Sequence, residues 1–223
     1  MILDIVKYGN PALRKKGARI ERITPDIKKL VADMLETMKD AKGVGLAAQQ
    51  IGQALQLTVL DVRGVTDRPS TLHIDGKEVI VDEQMPMALI NPELKLTGDK
   101  MPGPEGCLSF PEIYSEIVRP LITEVRAINE HGAVVQFLCG GLLSRAIQHE
   151  MDHLNGILFI DRMTRRNKEE LQDELEDLEE STRVGVNAAL RSRETSATSK
   201  GNSGIAAIKL RGMNEKMLGN NRA

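Results

Sequence analysis

"GLLSRAIQHEMDHLNG", residues 141–156, is the stretch on which the fold and the chemistry turn. Leu142, Arg145, Ala146, His149 and His153 recur at helical spacing and share one face, and Asn155–Gly156 is a C-terminal stop. The spacing predicts a helix over 141–156. Within "QHEMDH" (148–153) the two histidines lie four residues apart, so both rings can point at one place, and Glu150 leaves the helix beside it. Two neutral imidazoles beside a carboxylate that need not bind suit a metal that activates water. With four histidines in the whole chain, the pattern outweighs a chance match on a surface helix.

Working outward, "TPDIKKLVADMLETMKDAKG" (24–43) predicts a second helix. Thr24 is its N-cap, Pro25 suits the first helical position, Asp26 favours the positive end and Gly43 ends it. Ile27, Leu30, Val31, Met34 and Met38 form its core stripe. "LQLTVLDV" (55–62) and "MALINPELKL" (87–96) read as strands. The polar loop between them carries a short hairpin about Asp75–Gly76, with His73 as a solvated turn residue. "ITEVRAI" and "AVVQFL" flank Asn129–Gly132 as a hairpin, placing His131 in its turn. Helices segregated from hairpins predict an α+β fold, with antiparallel strands packed around the helix that bears the two histidines.

At 223 residues the chain suits one core with an appendage. Aromatics are 2% and tryptophan is absent, so the core rests on aliphatics and no stacking platform for single-stranded nucleic acid is expected. A net charge of −2 supplies no basic field for direct nucleic-acid binding. Two cysteines without other marks of secretion predict reduced thiols. Neither a signal peptide nor a membrane-length apolar run is present, so no membrane association is expected and the cytoplasm is the expected location.

The third ligand separates the chemistries. A zincin-type protease would take it from a downstream glutamate or histidine, but no histidine follows His153 and the nearby glutamates belong to an acidic helical segment. Upstream, "PGPEGCLSFPE" (102–112) presents Cys107 on a rigid Gly-Cys turn, whereas Cys139, after an apolar strand, reads as a buried structural thiol. Cys107 is therefore the candidate.

Three motifs now stand in order: "GVGLAAQQ" (43–50), "EGCLS" (105–109) and "QHEMDH" (148–153). With "NPEL" and "GILFIDR", the chain resembles the peptide deformylases over about three quarters of its length, from the N-terminal helix to about Arg162. The resemblance implies a metal-dependent hydrolase that removes the formyl group from N-formylmethionyl nascent peptides and releases formate. It implies Cys107, His149 and His153 as ligands, and Glu150 as general base and then acid. The oxyanion donors it implies are the Leu108 N–H and the Gln50 side-chain amide. It also implies Fe(II) in the cell; the ligand set alone equally suits Zn(II), Co(II) or Ni(II). Gln49 stands where many relatives have proline, and the 64–86 loop looks longer than in compact relatives.

For the substrate, Gly43, Gly45 and Gly106 are expected to let the peptide backbone come close. Val44, Ala146 and the aliphatic part of Arg145 are expected to border a slot for the methionine side chain; the Arg145 guanidinium could instead sit at the rim and meet a carboxylate. A zinc endopeptidase would predict a downstream third ligand and a dispensable Cys107. A metal-stabilised binding module would predict a dispensable Glu150.

The organisation expected is a catalytic domain over 1–163, an acidic amphipathic helix over 164–190 with Leu171, Leu175 and Leu178 as its apolar stripe, and a disordered basic tail over 191–223. In bacterial relatives a C-terminal helix can dock on the ribosome. Here residues 169–180 are acidic, so a solvated appendage is the favoured reading and transient ribosome contact the alternative.

Overall fold

The computed structural model describes residues 1–187; its named elements are seven strands and three helices, one of which bears the two histidines. The strands are β1 (Gly45–Ala47), β2 (Leu57–Leu60), β3 (Ser70–Ile74), β4 (Lys77–Glu78), β5 (Met87–Cys107), β6 (Phe110–Ile128) and β7 (Val134–Gly140). The helices are α1 (Pro25–Asp40), α2 (Gly141–Leu154) and α3 (Arg165–Glu170). The strands form one sheet in the order β1-β2-β5-β6-β7-β3-β4, every neighbouring pair antiparallel. The α+β expectation holds.

Helix α1 starts as its sequence dictates: the Thr24 side chain accepts from the Ile27 N–H, and Pro25 follows at the first position. Its stripe of Val31, Met34 and Met38 is buried against β1 and β2, together with Leu46, Leu57 and Val59. The Asn129–Gly132 hairpin forms between β6 and β7, with Gly132 at φ 84° and His131 exposed. Asp75 (φ 51°) and Gly76 (φ 74°) make the tight turn between β3 and β4.

Four expectations need correction. His73 lies in β3 and pairs with β4 and β7, so it is a strand residue and not a loop residue. The strand begun at "MALINPELKL" does not end at Leu96 but runs to Cys107 and pairs with all of β6. Its Gly and Pro residues are absorbed by register shifts at Ile90/Glu93, Thr97/Lys100 and Gly106/Cys107, which bend the long hairpin. Cys107 is therefore the last residue of a strand, and the turn proper is Leu108–Ser109. The helix expected over 164–190 is interrupted: α3 is followed by a break at Leu171, and residues 172–187 are helical again.

Leu175 is buried beside Leu13, Phe110 and Phe159, with Leu171 and Leu178 packed against the same cluster. That stripe is docked and not solvated, and the compact body runs from Met1 to Glu180, past residue 163. The expected disorder over 191–223 lies outside the described residues. No helix among those described is long and apolar enough to cross a membrane.

The core positions α2. Leu142, Leu143, Ala146 and Ile147 are buried against Leu60, Leu89, Val125 and Phe137 of the sheet. A second face is polar. Ser144, Gln148 and Asp152, spaced four apart, each bond to β6: Ser144 Oγ to Thr123 Oγ1 at 2.8 Å, Gln148 Nε2 to the Pro120 carbonyl at 2.9 Å, and Asp152 Oδ2 to Arg119 Nη1 at 2.9 Å. Directional bonds at three successive turns fix the rotation of the helix, which apolar packing alone leaves looser.

Candidate metal centre

Two elements converge on one point: the end of β5 brings Cys107, and successive turns of α2 bring His149 and His153. One ligand atom from each lies within 4.8 Å of the other two. Cys107 Sγ is 3.2 Å from His153 Nε2, and the imidazole rings are 5.0 Å apart in an edge-on arrangement. Ligand bonds of about 2.0–2.3 Å around a tetrahedral ion would set the ligand atoms about 3.5 Å apart, so the group fits a divalent ion. A thiolate with two imidazoles is also a suitable donor set for Zn(II) or Fe(II).

His149 is oriented through its other nitrogen, Nδ1, which is 3.1 Å from Glu105 Oε2, leaving Nε2 for the ion. His153 has a different surround. Its Nδ1 is buried without a hydrogen-bond partner, and burial with the nearby His149 and Arg119 charges holds its pKa well below the ordinary histidine value. A neutral ring is the form that binds a metal. At His149, burial works against the proton, but Cys107 and Glu105 outweigh it and raise the pKa.

Behind the histidines is a buried ionic network that sequence reasoning missed. Arg119 of β6 grips Glu105 with Nε at 2.6 Å and Nη2 at 2.9 Å, and reaches Asp152 of α2. Asp152 is also held by Arg162 at 2.6 Å. Burial pushes the Glu105 carboxyl up, but the bonds from His149 and Arg119 prevail and hold it at about 2. The signal was present: an arginine in the apolar alternation "EIVRPL" needs a buried acid, and Glu105 and Asp152 stand inside the two ligand motifs.

Glu150 is 3% exposed, and its Oε2 has no hydrogen-bond partner. Burial pushes its pKa up to about 7, with the His149 charge pulling against it. A carboxyl balanced near neutrality can take a proton and give it back. Gln50, 1% exposed, turns its amide deliberately. Its Oε1 accepts from the Ala47 N–H at 2.8 Å, so Nε2 faces Cys107 Sγ and Ser109 Oγ, each at 3.4 Å.

A cleft of about 690 Å³ opens over this group, and every sequence-predicted site residue except His153 lines it. His153 is 1% exposed and sits behind Cys107. The glycines line the cleft as expected, but the room their missing side chains leave is filled by the protein and not by a ligand. A Cβ at Gly45 would lie 2.3 Å from Glu150 Oε1, one at Gly43 2.7 Å from Leu108 Cδ1, and one at Gly106 2.5 Å from the Tyr114 ring. Val44 and Ala146 border the cleft.

The Arg145 guanidinium turns away from a rim role. It donates to Glu105 Oε1 and the Ile117 carbonyl at 2.8 Å each and to the Met101 carbonyl at 3.0 Å, which leaves its aliphatic part to the cleft. Gln49 is fully buried, with Nε2 3.5 Å from the Lys15 carbonyl, and is not part of the cleft wall. The long loop does reach the cleft, through Asp67 and Arg68.

Comparison with known proteins agrees with this geometry. The family model described as polypeptide deformylase matches residues 2–169. A peptide deformylase of Methylacidiphilum infernorum is 49% identical over 178 residues, covering 80% of this chain and 93% of its own. One from Opitutus terrae is 43% identical over 190 residues, covering 83% and 97%. Among solved structures, a Synechococcus elongatus peptide deformylase in complex with actinonin superposes with a TM-score of 0.67 at 38% identity, over 77% of this chain and 87% of that one. A Legionella pneumophila peptide deformylase gives 0.68 at 32% identity, over 79% and 95%.

Proposed function

The chain belongs to the polypeptide deformylase family and is a metal-dependent hydrolase that removes the N-formyl group from nascent peptides; from that premise we propose how its own residues divide the work. The observation that carries the assignment is the convergence of Cys107, His149 and His153, with Glu150 buried beside them. These three side chains would hold the ion. A divalent metal bound there supplies a Lewis acid that makes water nucleophilic near neutral pH.

Glu150 takes the proton from the attacking water at its carboxylate and later delivers it to the departing amine of the methionine. Its burial supports both halves of that task. The tetrahedral intermediate bears an oxyanion at the former formyl oxygen, and the Leu108 N–H with the Gln50 Nε2 would donate to it. The bond from Ala47 to Gln50 Oε1 supports this role, because it fixes which end of the amide faces the cleft. Val44, Ala146 and the Arg145 stem would border the slot for the methionine side chain, with Gly43, Gly45 and Gly106 giving the adjoining wall its shape. Glu105 acts through His149, and Arg119, itself held by Asp152, acts through Glu105.

Fe(II) is the proposed cellular ion, with Zn(II), Co(II) or Ni(II) as substitutes, and the cytoplasm, where formylated chains emerge, the proposed location. The ribosome is a proposed transient contact through the C-terminal segment. The test of the ion is elemental analysis of protein purified without oxygen. One iron per chain, lost in Cys107→Ala, is expected. Zinc alone from iron-replete cells, or an ion retained without Cys107, would overturn the assignment.

A further inference from the structure

The N-terminal segment crosses the back of both loops that carry the assigned oxyanion donors. The Val6 N–H donates to the Gln50 carbonyl at 2.8 Å, and the Tyr8 N–H to the Ser109 carbonyl at 2.9 Å. Between them, Lys7 Nζ donates to the Leu108 carbonyl at 2.8 Å, a contact between residues 101 apart in sequence. Lys7 is half-buried and lines the cleft beside Gln50, Cys107 and Leu108. The strap is itself anchored, because the Tyr8 ring stacks on Phe110 at 4.8 Å, and Phe110 is 1% exposed.

We propose that Lys7 is a positioning residue for deformylation: its ammonium, bonded to the Leu108 carbonyl, sets the orientation of the Leu108–Ser109 turn and with it the Leu108 N–H. This rests on the reading of Leu108 and Gln50 as oxyanion donors.

Leu108 and Ser109 are the two residues of the turn between β5 and β6. Closure of the hairpin couples the backbone torsions of so short a turn, so a bond that fixes the Leu108 carbonyl also restrains rotation at Leu108 and the adjoining peptide plane that carries its N–H. Tyr8 holds the Ser109 carbonyl through the backbone, which any residue at position 8 other than proline could do. The Leu108 carbonyl is held by a side chain, and a charged donor makes a stronger and shorter bond than a neutral one. Oxyanion stabilisation depends on donors already in place, so a turn free to tilt loses rate at the chemical step more than substrate affinity.

The experiment compares Lys7→Met, Lys7→Arg and Gln50→Leu, each metal-loaded, on a short formyl-methionyl peptide. Lys7→Met is expected to lower kcat about tenfold or more, with KM within about twofold and ion content and melting midpoint unchanged. Lys7→Arg, which keeps a charged donor, is expected to recover most of that loss. Full kcat in Lys7→Met, beside a large loss in Gln50→Leu, would overturn the role of Lys7 and leave the donor assignment standing. Full kcat in Gln50→Leu would overturn the donor assignment and this proposal with it. A Lys7→Met enzyme that lost ion or melting midpoint along with rate would show Lys7 to be a structural contact only.

Discussion

Cys107 and Cys139 show how environment divides one residue type into two roles. Cys107 ends a strand at the cleft, faces two imidazoles and receives a bond from Gln50. Cys139 is buried inside the sheet, 3.5 Å from the Thr123 carbonyl, and burial pushes its pKa up to about 12. The folded protein thus keeps a proton that the unfolded thiol gives up near pH 9, so this thiol's contribution to stability is complete below about pH 9 and declines as the pH climbs toward 12. At pH 8 Cys139 is therefore held as the unreactive thiol. Iodoacetamide at pH 8 is therefore expected to leave Cys139 unmodified in the native protein and to alkylate it in urea, read by peptide mass. Rapid native alkylation would show that the thiol is not shielded as described.

Helix α2 is the element that sequence periodicity read best, because its histidine face and stop signal are local. Thr24 and the stripe of α1 were legible for the same reason. The long β5–β6 hairpin was not. Its interior carries "TGDKMPGPEG", which has the composition of a loop, and only pairing with β6 over many residues makes it strand. The docking of Leu175 was equally hidden, since an acidic helix with a leucine stripe looks the same in sequence whether packed or free.

Asp152 stands inside "QHEMDH", yet its role depends on Arg119, 33 residues away. That pair ties α2 to β6, and Glu105 extends the tie to β5. Arg119→Met is expected to leave two buried carboxylates without their main cation and to cost about 3–5 kcal/mol, measured by urea unfolding. A loss below about 1 kcal/mol would mean that the network adds nothing to the packing of α2.

The whole molecule joins a sheet end to a helix through its ligands, so the ion should be structural as well as chemical. The ligand atoms come from β5 and α2, which are also tied by Arg145, the Arg119 network and the apolar core. Chelation is expected to abolish activity and lower the melting midpoint, by an amount set by about 3 kcal/mol for an ion held at a hundred times its Kd. Readdition of ion under exclusion of oxygen should restore both. An unchanged melting midpoint on complete ion removal would show that the ligands are prearranged without it.

The family and the three motifs could be read from sequence because they are short and ordered, whereas the ionic network and the N-terminal strap exist only once distant segments meet. The reaction itself is tested most directly by formate release from a formyl-methionyl tripeptide, using protein purified without oxygen. Glu150→Gln and an acetyl-methionyl peptide are run beside it. The account predicts rapid release from the formyl peptide, none from the acetyl peptide, and a rate at least about a hundredfold lower in Glu150→Gln with its ion retained. Equal release by the ion-loaded Glu150→Gln enzyme would contradict it.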